Sequence, residues 1–219
     1  LLKYHDKSGC SYARYIFLEL HRNELNEGPS KEHHRLFLDF PYNNEKVKYK
    51  INVVRNPYKR VVSMFTDKYI GLNNNLYKKI KLNKDTFYEF VKFLYNTNLT
   101  NIKDIHIKKQ SLKYHVNDII IKCENFETDI LNFYKKLNED LYNKCNNIIY
   151  NNSKNKKHRM LNKTKRNDTK IYVYDTVYEP GIDRSWPDYK YFYNIEIKNM
   201  VYEIYKEDFI NFNYDKDSI

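Results

Sequence analysis

The hydrophobic pattern along the chain alternates between short apolar runs and longer segments with helical spacing. Short continuous apolar runs predict buried strands, and apolar residues three and four positions apart predict amphipathic helices. This pattern predicts strands at 2–5, 35–40, 48–55 and 117–123 and helices at 11–25, 57–70, 85–96, 127–138 and 194–210. Because strands alternate with helices, we expect an α/β fold with a central parallel sheet flanked by helices.

Two of the predicted helices carry clear apolar stripes at positions i, i+3, i+4 and i+7, which mark a buried face. The first stripe comprises Ala13, Ile16, Phe17 and Leu20, and the second comprises Phe87, Phe90, Val91 and Leu94. Asp85 precedes the second stripe and is a candidate N-cap. By contrast, residues 139–170 are poor in large apolar side chains and rich in Asn and Lys, so we predict a mobile, exposed loop there.

Composition supports a single globular domain over residues 1–219, since 41% of the residues are hydrophobic. The chain has 39 Lys and Arg against 28 Asp and Glu, a formal net charge of +11. Such an excess favours an anionic partner. The abundance of Lys, Asn, Ile and Tyr, which all have AT-rich codons, is an alternative source of the same excess.

The three cysteines, Cys10, Cys123 and Cys145, do not have the spacing of a metal site or the even count of a disulfide framework. A Cys123–Cys145 bridge stays open at this point. No apolar run approaches the length of a membrane span, and no signal peptide is visible. Because the sequence begins without methionine and almost at a strand, we expect that a preceding segment could carry a targeting or anchor sequence.

The most informative segment is 51–69, in which an apolar run ends at Arg55 and a basic helix follows. Pro57 at the first helical position fixes φ and gives up no useful donor, so we expect the helix N-terminus to direct N–H groups at an anion. The planar guanidinium of Arg55 can bind an oxyanion with two hydrogen bonds. Ser63, further along the helix, can add a hydroxyl donor.

A second strand–loop–helix junction lies near the start of the chain. Its residues are Lys7, Ser8, Gly9, Cys10 and Ser11. The loop is not a Walker A loop, because its lysine precedes a single glycine instead of ending a glycine-rich run. Two such junctions on strand–helix units predict a ligand with two separated phosphate-like groups.

The two junctions, KSGCS and VVRNPYKRVVSMF, resemble the 5′- and 3′-phosphosulfate-binding motifs of the Golgi-type carbohydrate sulfotransferases. These enzymes use 3′-phosphoadenosine 5′-phosphosulfate (PAPS). The segment EHHRLFLDF is similar to the one that carries the catalytic histidine in the heparan sulfate 2-O-sulfotransferase branch, and the match places His34 at that position. DIIIKCENFETDILNFYKKL and YEIYKEDFINFNY resemble the later strand, helix and closing helix of the family.

The resemblance implies a P-loop-like sulfotransferase fold and transfer of a sulfuryl group from PAPS to a hydroxyl of a glycan. It implies that Lys7, Ser8, Gly9, Cys10, Ser11, Arg55 and Ser63 bind PAPS or its desulfated product PAP. Lys7 would also stabilise the charge that develops on the 5′-phosphate, and His34 would be the general base. The acceptor would be an acidic or neutral glycan, with no metal required and no nucleic acid expected. The location would be the Golgi lumen if an anchor precedes this sequence, and otherwise the cytoplasm.

The sequence departs from the family at two positions. Relatives usually have a proline where Asp6 stands, and they commonly have Asp or Glu where Asn56 stands. Neither change removes a phosphate-binding group. His33 offers an equal side chain on the opposite face of the strand from His34, and His106 is a weaker candidate for contact with the acceptor.

Two other function classes remain open from the residues alone. A nucleotide-dependent phosphotransferase would use similar anion loops, but it would also need Mg²⁺-binding carboxylates and a Walker lysine, which we do not find. A non-catalytic module that binds RNA or another polyanion is favoured by the charge and by the abundant tyrosines. The tyrosine-rich segment 172–193 around Trp186 could instead wall a glycan groove.

Overall fold

The structure is a computed structural model, and it describes residues 2–4, 10–21, 49–72, 76–99, 104, 106–113, 119–155 and 167–219. Lys7, Ser8, Gly9 and His34 lie outside the described residues, as does the predicted strand 35–40. The chain forms two compact units. Unit 1 comprises Leu1–Val54 and Tyr114–Leu161, and unit 2 comprises Arg55–Lys113 and Asn162–Ile219.

Apart from one helix that was not predicted, the described helices and strands follow the predicted order. They are β1 (Leu2–Tyr4), α1 (Cys10–His21), β2 (Ile51–Val54), α2 (Pro57–Met64), α3 (Phe87–Asn96), β3 (Ile119–Lys122), α4 (Phe126–Leu137), α5 (Glu139–Asn155) and α6 (Ile195–Asn211). Short 3₁₀ turns occur at Gln110–Lys113, Cys123–Asn125 and Tyr189–Phe192. The predicted α/β class with a parallel sheet is therefore confirmed.

The sheet of unit 1 is parallel throughout, in the order β1-β2-β3. Leu2 pairs with Ile51, and Ile51 pairs with Ile119, so the strands run in close register. In a parallel sheet with this register, the carboxyl ends of neighbouring strands lie at the same edge. β1 and β2 therefore both end at that edge.

One face of the sheet carries the core of unit 1. Ile51 and Val53 of β2 and Ile121 of β3 form a buried cluster with α1, α4 and α5. The stripe predicted on α1 belongs to this cluster: three of its residues are fully buried and Phe17 is partly buried against it. Asn52 and Val54 point to the other face of β2, because side chains alternate along a strand, and they too are fully buried.

The prediction of an exposed loop over 139–170 is wrong for its first half, because Glu139–Asn155 forms α5. The segment is polar in composition, yet Cys145 and Ile149 lie one turn apart and are buried against the core of unit 1. A stripe this narrow is enough to pack one side of a helix. Cys145 forms no disulfide with Cys123.

Unit 2 is built around an aromatic core in which Phe65, Phe87, Phe90 and Phe192 contact one another through ring edges and faces. The stripe predicted on α3 is confirmed, since all four of its residues are buried. The N-cap is Thr86, whose hydroxyl oxygen accepts from the backbone N–H of Glu89 at 3.1 Å. Asp85, the predicted cap, instead accepts a 2.7 Å hydrogen bond from the hydroxyl of Tyr69.

The helix predicted at 57–70 changes from α-helical to π-helical hydrogen bonding along its length. α2 ends at Met64 and a π-helical turn covers Phe65–Tyr69. The wider turn brings Gly71 against the backbone carbonyl oxygen of Thr66, where any side chain would clash. A hydrophobic pattern with helical spacing does not distinguish this turn from a regular helix.

Candidate functional site

The candidate site in unit 2 begins at Arg55, the residue that follows β2. Arg55 is half-buried, and its backbone is held by the side chain of Gln110. The backbone N–H of Arg55 donates to Oε1 of Gln110 at 2.9 Å, and Nε2 of Gln110 donates to the backbone carbonyl of Arg55 at 2.8 Å. A single amide thus satisfies both backbone groups of the arginine.

Gln110 is in turn fixed by a buried carboxylate on α6. Asp208 is fully buried, and its two oxygens accept from the backbone N–H groups of Gln110 and Ser111 at 2.9 and 2.8 Å. A buried carboxylate requires hydrogen-bond donors of this kind. The buried side chains of Asp208 and Gln110 therefore form one connected network with the backbone of Arg55.

The N-terminus of α2 differs from the prediction that its N–H groups point at a phosphate. The side-chain oxygen of Asn56 accepts from the backbone N–H groups of Tyr58 and Lys59 at 2.9 and 3.4 Å. The carbonyl of Asn56 accepts from the backbone N–H of Arg60 at 2.9 Å. These donors are thus engaged within the chain, because asparagine is a strong N-cap and reaches them first. An anion at this end of α2 would therefore have to be bound by side chains.

Most of α2 is buried, and its partly exposed surface is narrow. Within Pro57–Met64 only Lys59 and Ser63 are not buried, and they lie one turn apart on the same face. The ammonium of Lys59 lies 5.1 Å from the ring centre of Tyr189, at cation–π distance. Ser63 therefore lies on the accessible face of the helix, as the role predicted for it requires.

The other predicted junction lies in unit 1, between β1 and α1. The helix begins at Cys10, one residue earlier than predicted, so Cys10 and Ser11 form its first turn. Lys7, Ser8 and Gly9 precede it and lie outside the described residues, so their predicted role in binding the 5′-phosphate is untested.

His106 lies in polar surroundings. Its backbone N–H and its ring Nδ1 lie 3.0 and 2.7 Å from Oδ1 of Asp104, and Nζ of Lys79 lies 2.7 Å from the other carboxylate oxygen. Burial raises the pKa of Asp104, but the hydrogen bonds from Lys79 and His106 outweigh it, so the pKa is lowered overall. The carbonyl of His106 also accepts from the buried guanidinium of Arg60 at 2.8 Å.

The tyrosine-rich segment 172–193 divides into two parts. Tyr178, Trp186 and Tyr193 are buried in the core of unit 2. Tyr172 is 62% exposed, and its ring contacts those of Tyr174 and Tyr191. This second part offers aromatic surface to a ligand.

Two other kinds of feature are absent from the part of the chain that the structure describes. Among the described residues, no group of three or more His, Cys, Asp or Glu side chains is placed to hold a metal ion. No helix in the described part of the chain is long and apolar enough to cross a membrane.

The sequence predicts Arg55 and Ser63 as site residues, a prediction that stays untested, and the predicted set does not include Gln110 or Asp208. A signal for Asp208 is present, since it falls on the apolar stripe of α6 formed by Val201, Ile204, Tyr205 and Phe209. A carboxylate at a core position of a helix indicates a buried partner. The partner itself, 98 residues away in the sequence, could not be read from that stripe.

The sequence and structure of the chain were compared with known proteins. No curated protein and no solved structure matches the chain significantly. A family model described as "Sulfotransferase family" matches residues 6–215. The match includes both junctions and the network of Arg55, Gln110 and Asp208. Because it covers nearly the whole sequence, the chain belongs to the sulfotransferase family, whose enzymes transfer sulfuryl groups.

Proposed function

We propose that this sulfotransferase transfers the sulfuryl group of PAPS to a hydroxyl group of a glycan. The observation that carries the proposal is the arrangement around Arg55. A basic, fork-shaped side chain directly follows a parallel strand, and a buried amide holds its backbone on both sides. Ligands of open α/β sheets gather at the carboxyl ends of strands, where such a side chain can meet a phosphate.

In this proposal the two junctions bind the two phosphate groups of the donor. Arg55 and Ser63 bind the 3′-phosphate, and the loop from Lys7 to Ser11 binds the 5′-phosphate.

The reaction is an in-line displacement at sulfur. The acceptor oxygen forms a bond to sulfur while the bond between sulfur and the 5′-phosphate oxygen breaks, and PAP leaves. Lys7 neutralises the charge that develops on the 5′-phosphate, and His34 takes the proton of the acceptor hydroxyl. The family resemblance of the segment around His34 makes a hexuronic acid or a similar acidic sugar the leading acceptor.

Thermal unfolding with added nucleotide tests the donor assignment. PAP should raise the melting temperature of the parent chain more than ATP or RNA does at equal concentration. Arg55→Ala should remove most of this shift. Lys109→Ala is the matched control, because it removes a basic side chain of unit 2 whose partner is the largely exposed Glu207. An equal response to PAP in the Arg55→Ala variant would overturn the donor assignment.

Sulfate transfer to a panel of glycans tests the acceptor and the base. His34→Ala should lower turnover by roughly a hundredfold and leave PAP affinity nearly unchanged, the usual scale for loss of acid–base assistance. His33→Ala should do much less. Transfer to peptides alone would contradict the glycan assignment. Full turnover by His34→Ala would mean that another residue, such as His106, is the general base.

A further inference from the structure

The backbone of Arg55 is held by a side chain that has no predicted contact with any ligand. Gln110 is fully buried and pairs with both the N–H and the carbonyl of Arg55, in the manner of a neighbouring strand. Backbone groups at the end of a strand otherwise rely on water or on loop residues. The pairing therefore restricts the position of the Arg55 Cα more than a single hydrogen bond would.

The support for Gln110 extends one step further, to α6. Asp208 holds the backbone N–H groups of Gln110 and Ser111 with separate oxygens, so the start of the 3₁₀ turn Gln110–Lys113 is fixed at two points. The hydroxyl of Tyr205, one turn earlier on α6, donates to the carbonyl of Ile107 at 2.9 Å. α6 thus anchors the whole segment from which Gln110 reaches Arg55.

We infer that Gln110, supported by Asp208, is a positioning residue that sets the preference of this enzyme for a nucleotide with a 3′-phosphate. The inference rests on the proposed function, in which Arg55 binds that phosphate. A long guanidinium side chain binds more tightly when its base is already fixed, because less conformational freedom is lost on binding. Gln110 acts through Arg55 and does not touch the ligand.

The test compares the affinities for PAP and for 5′-AMP, which lacks the 3′-phosphate, by isothermal titration calorimetry. Gln110→Met keeps the side-chain length but removes both hydrogen bonds to Arg55. We expect it to weaken PAP binding roughly tenfold, since the base of Arg55 is no longer fixed before binding, and to leave 5′-AMP affinity within about twofold. Asp208→Asn keeps the shape of the side chain and one of its two acceptor oxygens. It should lower the ratio of PAP affinity to 5′-AMP affinity by a smaller factor, and it provides the test if Gln110→Met does not fold.

A control variant separates positioning from general loss of stability. Tyr69→Phe removes another hydrogen bond of a buried side chain in unit 2, the one to Asp85, which does not involve Arg55. It should lower the melting temperature but leave the ratio of the two affinities unchanged. In an Arg55→Ala background, Gln110→Met should still lower the melting temperature and should no longer affect PAP affinity.

The outcomes distinguish this inference from the proposed function. If the parent binds PAP and Arg55→Ala weakens it, while Gln110→Met affects PAP and 5′-AMP equally, the positioning role is overturned and the proposed function stands. The same holds if Gln110→Met and Arg55→Ala have additive effects on PAP affinity. If the parent does not bind PAP, the proposed function fails and this inference fails with it.

Discussion

Asn52 lies in the middle of β2 with its side chain fully buried, and neither polar atom of its amide has a hydrogen-bond partner among the residues that the structure describes. Gln110 and Asp208 are buried to the same extent, but their polar atoms are engaged. The cost of burying a polar group depends on this difference, because an unpaired amide has lost its water without gaining a partner. We therefore expect the buried amides of Asn52 and Gln110 to have opposite effects on stability.

We therefore predict that Asn52→Val stabilises the protein. Valine suits a buried strand and removes both unpaired atoms, so the free energy of unfolding should rise by about 1 kcal/mol or more. Chemical denaturation followed by circular dichroism measures the change. Val54→Asn places an amide at the next position on the same face and should have the opposite effect. A loss of stability in Asn52→Val would show that this amide has a partner in the folded protein.

Asp104 gives a second prediction at this scale, one that depends on pH. The pKa of its carboxyl is lowered below the usual 3.8 in the folded state. Its charged form therefore stabilises the fold above pH 3.8, and that contribution is lost as the pH falls through the folded-state pKa. Asp104→Asn should cost about 1 kcal/mol at pH 7, as expected for loss of charge-assisted hydrogen bonds in a partly exposed cluster.

The difference in unfolding free energy between the parent and Asp104→Asn should narrow as the pH is lowered from 7 towards 3. Lys79→Ala removes one of the hydrogen bonds that lower this pKa and should show the same pH dependence at smaller size, because the lysine side chain is 62% exposed. A difference that is independent of pH would mean that packing, and not charge, accounts for the effect of Asp104→Asn.

Among the helices, the sequence predicted those features that depend on residues close together in the chain. The stripes of α1 and α3 were visible because several large apolar residues repeat at helical spacing, and the Pro57 junction was visible because a proline at N1 is a local signal. α5 was missed because its buried stripe is interrupted by Asn and Lys. The cap of α3 was misassigned by one residue, since Asp85 and Thr86 are both good caps and only the packing of Tyr69 separates them.

The cap of α2 provides a prediction for this element. Asn56→Ala removes the acceptor for two backbone N–H groups and the 3.1 Å hydrogen bond from Nδ2 to the hydroxyl of Ser218. We expect a loss of about 1 kcal/mol in unfolding free energy. Asn56→Asp keeps the acceptor and adds a charge that suits a helix N-terminus, so it should retain most of the stability. Equal losses in both variants would contradict the capping role.

The packing of α5 is tested by the reactivity of Cys145. Burial, followed by the charge of Glu127, raises the pKa of this thiol to about 12. At pH 8 the reactive thiolate is then on the order of one molecule in ten thousand, so iodoacetamide should modify Cys145 slowly until the protein unfolds. The half-buried Cys123 is an internal reference for mass spectrometry of the labelled peptides. Rapid labelling of Cys145 in the native protein would contradict the packing of α5 and favour the exposed loop that the composition indicated for residues 139–155.

In the whole molecule, the network of Arg55, Gln110 and Asp208 joins residues that are far apart in the sequence. Gln110 follows Arg55 by 55 residues, and Asp208 follows Gln110 by 98 residues. No local pattern reveals such contacts, which arise only when the chain folds. Net charge behaves differently, because it is a sum over the sequence and can be read without a structure. The +11 charge was consistent with either an anionic partner or a biased composition, and only a functional measurement distinguishes these two explanations.

The final prediction uses ionic strength to make that distinction. If the positive charge attracts an acidic glycan, kcat/KM for that acceptor should fall by about tenfold between 50 and 300 mM salt, because ions screen long-range attraction. The same glycan with its carboxyl groups reduced to alcohols should show little dependence. Saturating PAPS in both series keeps donor binding out of the comparison. Equal salt dependence for the two acceptors would mean that the charge does not select the acceptor, and the basic excess would then be explained by composition.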